Sequence, residues 1–134
     1  MNKELLKEKA KETMKLSYSP YSNFKVGAAV ECKDGSIFVG TNIENSSYSL
    51  CMCAERNALY NAYMHGYTKS DFIGFCLIGE TTDVITPCGA CRQVISELYP
   101  SDAPILMTNT KGKEQLTTIS ELLPFAFSEE DLKK

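Results

Sequence analysis

Long apolar runs are missing from this chain of 134 residues. No stretch approaches the roughly 20 apolar residues that cross a bilayer, so no membrane partner is expected. The opening Met1-Asn2-Lys3-Glu4-Leu5-Leu6-Lys7-Glu8 has neither the apolar core nor the cleavage site of a secretory leader. A cytoplasmic location with reduced thiols is therefore expected. Runs of Lys or Arg are missing as well. With 14 Lys+Arg against 17 Asp+Glu the net charge is −3, which lacks the basic footprint of a nucleic-acid partner. Repeats, low-complexity tracts and linkers are absent, so residues 1–134 read as one domain. Histidine occurs once, at His65, and any metal centre must be built mainly from other side chains.

The chain does have apolar residues to close a core, at 43%, and an excess of six cysteines. Residues 2–16 place Leu5, Leu6, Ala10, Met14 and Leu16 among Lys and Glu, which predicts an amphipathic helix that Pro20 cannot continue. Residues 26–32 and 37–42 are apolar and β-branched around Lys33-Asp34-Gly35-Ser36, a hairpin signal. A helix over 54–63 is stopped near Gly66, and 72–78 reads as a buried strand. After Thr86-Pro87-Cys88 a second helical pattern runs through Val94, Ile95 and Leu98 to Pro100. Residues 105–108 and 115–118 read as strands, the latter an edge, and 119–123 as a short helix. A hairpin followed by alternating helices and strands predicts an α/β fold, a three-layer α/β/α sandwich with a mixed five-stranded sheet and helices on both faces.

Two clusters carry chemistry, Cys51-Met52-Cys53-Ala54-Glu55-Arg56 and Pro87-Cys88-Gly89-Ala90-Cys91-Arg92. Each opens a predicted helix, where free backbone N–H groups and the helix dipole stabilise thiolates. Cys88 and Cys91, three apart, share one side of a helical turn and can grip one ion, and Cys53 can supply a third ligand. Glu55 is two residues beyond Cys53. On a regular helix that spacing diverges by about 200°, so the two converge only if the first turn is irregular. Three thiolates outweigh a divalent cation, and two helix N-termini together with Arg56 offset that excess.

Other readings of these cysteines stand beside this one. Cys88 and Cys91 alone suit a redox pair, which leaves Cys53-Ala54-Glu55 unexplained. A structural zinc closed by a fourth thiolate such as Cys51 gives Glu55 no role, and Cys51 can also replace Cys53. Both are non-enzymatic alternatives. Cys32 and Cys76 lie in predicted strands and read as small core side chains. His65 sits at a helix end, where a dipole contact or solvation is its ordinary state.

At these residues the chain resembles the zinc-dependent deaminases of cytosine, whose signature is Cys/His-x-Glu followed by Pro-Cys-x-x-Cys. The likeness extends to the small homotetrameric cytidine deaminases through segments 20–29, 42–45, 53–56, 87–93 and 121–124 with Phe127. The resemblance implies a cytidine deaminase-like fold, one Zn²⁺ per chain on Cys53, Cys88 and Cys91, and Glu55 as catalytic proton shuttle. It implies zinc-dependent hydrolytic deamination of the small-molecule nucleosides cytidine and deoxycytidine to uridine and deoxyuridine, with release of ammonia, as in pyrimidine salvage. Phe24 is implied to pack on the pyrimidine, Ala54 to contact substrate, and Asn42 and Glu44 to hold the ribose 3′-hydroxyl. From spacing alone, Asn42-x-Glu44 also reads as a strand end and Phe24 as core. Phe127 and Tyr48 are implied to reach across subunit interfaces of a homotetramer. The chain departs from the family pattern at Phe125, where relatives commonly carry glycine, and at Asn57. A deaminase of polynucleotides fits poorly with Cys53, the acidic charge and Glu44; one acting on another small base or nucleoside analogue stays open.

Overall fold

A computed structural model describes residues 1–133. Strands β1 (Val26–Cys32) and β2 (Ile37–Thr41) form the expected hairpin, with Gly27 opposite Thr41 and Glu31 opposite Ile37. Its turn works because Gly35 adopts φ 91°, the left-handed region that favours glycine, while Asp34 Oδ1 accepts from Ser36 N at 2.9 Å. Strand β3 (Phe72–Gly79) lies antiparallel to β1, β4 (Ile105–Asn109) parallel to β3, and β5 (Glu114–Thr117) antiparallel to β4. The sheet order is β2-β1-β3-β4-β5. A parallel pair needs a crossover, and the segment between β3 and β4 contains helix α3 (Gly89–Leu98).

The period of two along the strands divides the apolar residues between two cores. On one face α1 (Lys3–Met14) lays Leu6, Ala10 and Met14 against Ala29, Cys76, Ile78 and Leu106. On the other, α2 (Ala54–Met64) and α3 bury Ala58, Leu59 and Ile95 against Ala28, Val30, Phe75, Leu77 and Met107. This is the expected α/β/α arrangement. Cys32 and Cys76 are fully buried, one in each core, and burial pushes their thiols up to about 11 and about 12. No helix among the described residues is long and apolar enough to cross a membrane.

Element ends differ from the sequence reading where side chains intervene. Helix α1 begins at Lys3 because Asn2 caps it, Oδ1 accepting from Leu5 N at 3.3 Å. It stops at Met14 instead of Leu16, and Ser17 then donates its hydroxyl to Asn42 Oδ1 at 2.7 Å. Strand β5 starts one residue early, at Glu114, whose carboxylate takes Lys3 and Lys7 from α1. It ends at Thr117 because Thr118 becomes the N-cap of α4 (Ile119–Leu122).

The contact that places the site is between α2 and β2. Gly40 is buried under the first turn of α2, and a methyl group there would lie 2.5 Å from the Ala54 carbonyl oxygen and closer still to the Ala58 nitrogen. Asn57 and Asn61, one turn apart, donate to the carbonyls of Thr41 (2.8 Å) and Val39 (3.2 Å). Asn57, an atypical residue for the family resembled, thus fastens the helix to its strand. Gly40→Ala should displace α2 and cost about 2 kcal/mol, in the range of overpacked cores; urea unfolding against the parent chain, monitored by circular dichroism, measures it.

Candidate metal centre

Cys53 and Cys88 occupy equivalent places. Each is the N-cap of a helix, Cys53 of α2 and Cys88 of α3, and each is in extended backbone. Cys53 thus lies outside the helical repeat, which supplies the irregular first turn that Glu55 requires. Its position is fixed by a small weave of main chain: Ile43 and Met52 exchange hydrogen bonds at 3.0 and 2.9 Å, and Glu44 N donates to Tyr18 O at 2.8 Å. Cys91, one turn into α3, is buried.

The two helix starts meet, and the sulfurs of Cys53, Cys88 and Cys91 all lie within 4.8 Å of one another. Bonds of about 2.3 Å at tetrahedral angles require sulfurs about 3.8 Å apart; those of Cys53 and Cys88 are 3.9 Å apart. The donor set therefore fits one thiophilic ion such as zinc and leaves a tetrahedral position free. No fourth cysteine joins it among the described residues. Cys51 is engaged elsewhere, accepting from Asn45 N at 3.3 Å. His65 caps α2, its Nδ1 2.8 Å from the Asn61 carbonyl and its ring against Phe38.

The charge of three thiolates is managed locally. Hydrogen bonding from Cys91, then from Arg56 and Cys88, holds Cys53 well below the usual thiol range despite its burial. Cys91 is pushed up, first by donating to Cys53 and then by burial. Arg56 Nη2 donates to Cys53 Sγ at 3.4 Å. Its Nε is the one buried side-chain nitrogen or oxygen without a hydrogen-bond partner among the described residues. Glu55 is 4% exposed, and burial pushes its carboxyl up to about 7, with the nearby Cys53 adding in the same direction.

A cavity of about 160 Å³ opens beside the sulfurs, lined by Phe24, Asn42, Ala54, Glu55, Ile85 and Thr86 together with Cys53 and Cys88. Asn42 is already heavily engaged. Its Oδ1 accepts from Ser17 and from Val26 N (3.0 Å), and its Nδ2 donates to Phe24 O at 2.7 Å. Glu44 accepts from the Tyr21 and Ser22 amides at 3.0 and 3.1 Å and from the Ser22 hydroxyl, which foremost holds its carboxyl below the usual range. The Ser22 hydroxyl in turn accepts from Phe24 N at 3.0 Å.

Not every residue expected at the site lines this cavity. Glu44 lines a second hollow of about 340 Å³ with Tyr21, Ser22, Tyr48 and Cys51. Tyr48 packs edge-on to Tyr21 there, ring centroids 6.2 Å apart. Phe127 is in neither hollow; it borders a small cavity with Lys69, Ser96 and Glu97. Sequence reasoning missed Ser17, Ser22, Arg92 and Gln93. The last two adjoin Cys91 in the Pro-Cys-x-x-Cys segment, and that adjacency was the signal available for them.

Residues 1–107 match the family described as "Cytidine and deoxycytidylate deaminase zinc-binding region". The chain is 46% identical over 132 residues to a cytidine deaminase of Halalkalibacterium halodurans, covering 98% of each. It is 45% identical to that of Sporosarcina psychrophila, covering 98% of this chain and 96% of the relative. Among solved structures, cytidine deaminase from Burkholderia pseudomallei superposes with a TM-score of 0.92 at 47% identity, over 95% of this chain and all of that one. Removing one sulfur from the set should empty it. Cys88→Ala is expected to purify with almost no zinc by elemental analysis, whereas Cys51→Ala keeps the parent's zinc content.

Proposed function

The chain belongs to the cytidine and deoxycytidylate deaminase family, and on that premise we propose how its residues divide the labour of converting cytidine and water to uridine and ammonia. The observation that carries the reading is the buried Glu55 carboxyl at the wall of one cavity with Cys53 and Cys88, whose sulfurs converge with that of Cys91. Cys53, Cys88 and Cys91 hold zinc, whose chemistry when bound is Lewis acidity that lowers the pKa of a water towards about 7. Arg56 and the N-termini of α2 and α3 offset the thiolate charge.

Glu55 moves the protons. It takes one from water and delivers it to N3 of the pyrimidine, then takes the proton of the newly formed C4 hydroxyl and passes it to the departing exocyclic amine, which leaves as ammonia. Burial that raises its carboxyl to about 7 suits a group that must both accept and donate near neutral pH. Phe24 packs on the pyrimidine, and Ala54 lines the cavity next to Glu55. The remaining hydrogen on Asn42 Nδ2 and the spare lone pairs of Glu44 read the ribose 3′-hydroxyl. A carboxylate there accepts from a free hydroxyl and repels a phosphate. Free nucleosides are thus substrates and polynucleotides are not. A contact at the 3′ position is indifferent to the 2′ position, so deoxycytidine is deaminated too.

The active unit is a homotetramer. Tyr48 and Phe127 are 74% and 59% exposed and Phe125 is fully exposed, aromatic surface that a neighbouring copy would cover. Phe125 also has φ 56°, the left-handed region in which glycine is the unstrained choice, consistent with glycine being the commoner residue there among the relatives it resembles. Tyr48 and Phe127 reach the site of an adjacent copy, which explains their distance from the cavity of their own chain. A non-enzymatic zinc or redox protein leaves Glu55 idle and is set aside.

Glu55→Gln should retain zinc while losing about 10³-fold in turnover, within the range of general acid–base catalysis; ultraviolet absorbance with cytidine and elemental analysis of the same sample measure both. Undiminished turnover in that variant would overturn the assignment. Against the parent chain, cytidine and deoxycytidine should be consumed while cytosine and cytidine 3′-monophosphate are not, and light scattering should return four times the chain mass.

A further inference from the structure

Helix α3 carries two of the three sulfurs at its start, and the residues that follow them in sequence point elsewhere. Arg92 Nε donates to the carbonyl of Pro87, the residue before Cys88, at 2.8 Å. Its Nη1 donates to the carbonyl of Leu122, at the end of α4, also at 2.8 Å. One planar guanidinium therefore spans the approach to the metal site and the C-terminal segment 30 residues away in sequence. Gln93 continues the same tie, its Nε2 donating to the carbonyl of Phe127 at 2.8 Å.

These bonds matter because little else fixes the segment. Helix α4 has a single turn, Pro124 offers no amide donor, Phe125 adopts φ 56° with its ring fully exposed, and residues 128–132 are exposed. Among the described residues, no main-chain hydrogen bond joins residues 124–127 to the rest of the fold. Without Arg92 and Gln93 the main chain carrying Phe127 is free to fray.

We propose that Arg92 and Gln93 are positioning residues that tie the C-terminal aromatic segment to the cysteine-bearing helix, so that holding the metal and placing Phe127 depend on one rigid unit. The effect on substrate rests on the role given above to Phe127; the tie itself does not. Arg92 restrains the Pro87 carbonyl and with it the backbone entering Cys88. Gln93 sets the height of Phe127 along α3. Polar partners of this kind, one step from the ligands, orient metal sites.

Two variants and two readouts test this on the zinc-loaded full-length protein. Gln93→Leu keeps helix propensity and removes the donor. Limited chymotrypsin digestion should cut it within residues 122–127 about tenfold faster than the parent, the sign of a locally opened segment. Its KM for cytidine should rise several-fold with kcat and zinc content unchanged. Arg92→Lys, which retains charge but not the fork, should release zinc to a chelator about tenfold faster and should also be cut faster in the segment. Stripping zinc from the parent should accelerate the same cleavage, and in Gln93→Leu it should add little. Digestion rates equal to the parent's in both variants, or insensitive to zinc in the parent, would overturn the proposal. Faster digestion of Gln93→Leu with an unaltered KM would support the tie and overturn instead the substrate role of Phe127.

Discussion

Three sulfurs held within 4.8 Å of one another repel as soon as they ionise, and much of this fold is the means of keeping them together. Two of them, Cys53 and Cys88, cap helices whose N-termini face the cluster, and Arg56 donates to one of these two, Cys53. Neither device works unless α2 and α3 begin at the same point over the sheet. That condition is met at Gly40, where α2 lies too close to β2 for any side chain, and along the chain entering α3, where Asn109 acts as a hub. Asn109 Nδ2 reaches the carbonyls of Thr81 (2.9 Å), Thr82 and Asp83, and Ile85 N donates to Thr108. The loop that delivers Cys88 is thereby fastened to the end of β4.

The segments between the two hollows show a second economy. Asn42, Glu44, Ser22 and Phe24 form one hydrogen-bonded unit in which each group that would read the sugar also holds the loop bearing the aromatic ring. The Asn42 and Glu44 side chains and the Phe24 ring are therefore mechanically joined. The same logic governs α3, where the residues after the ligands secure the C-terminal segment. In both places polar side chains of a short motif satisfy main-chain groups of a distant one, which is how loops without regular structure acquire definite positions.

Elements with a clean period were legible. The apolar runs of β1, β3 and β4 marked buried strands, and the structure divides them by alternate residues, Ala28 and Leu77 to one core and Ala29 and Cys76 to the other. Boundaries moved by one or two residues wherever a side chain competed with the main chain, as at Asn2, Ser17 and Thr118. The Cys88 and Cys91 pair was legible because thiol spacing on a helical turn is a local property. The commitments of Asn42 and Glu44 to Ser17, Tyr21 and Ser22 were not, since they join residues 22 to 25 apart with no periodic signal. The partners of Arg92 and Gln93 were equally hidden, lying 30 and 34 residues away.

What the sequence determined by itself is the chemistry: three thiols and a carboxylate at helix starts, in a chain whose scarcity of histidine left the ligand work to cysteine. Those are statements about residue type and spacing within one or two turns, and short-range geometry carries them. Only the tertiary structure decided which of Cys51 and Cys53 joins the set, that Glu55 is buried enough to hold its carboxyl near 7, and that Phe127 sits outside the cavity of its own chain. Each of those depends on desolvation or on contacts between segments far apart in the chain, and neither can be read from neighbours in sequence.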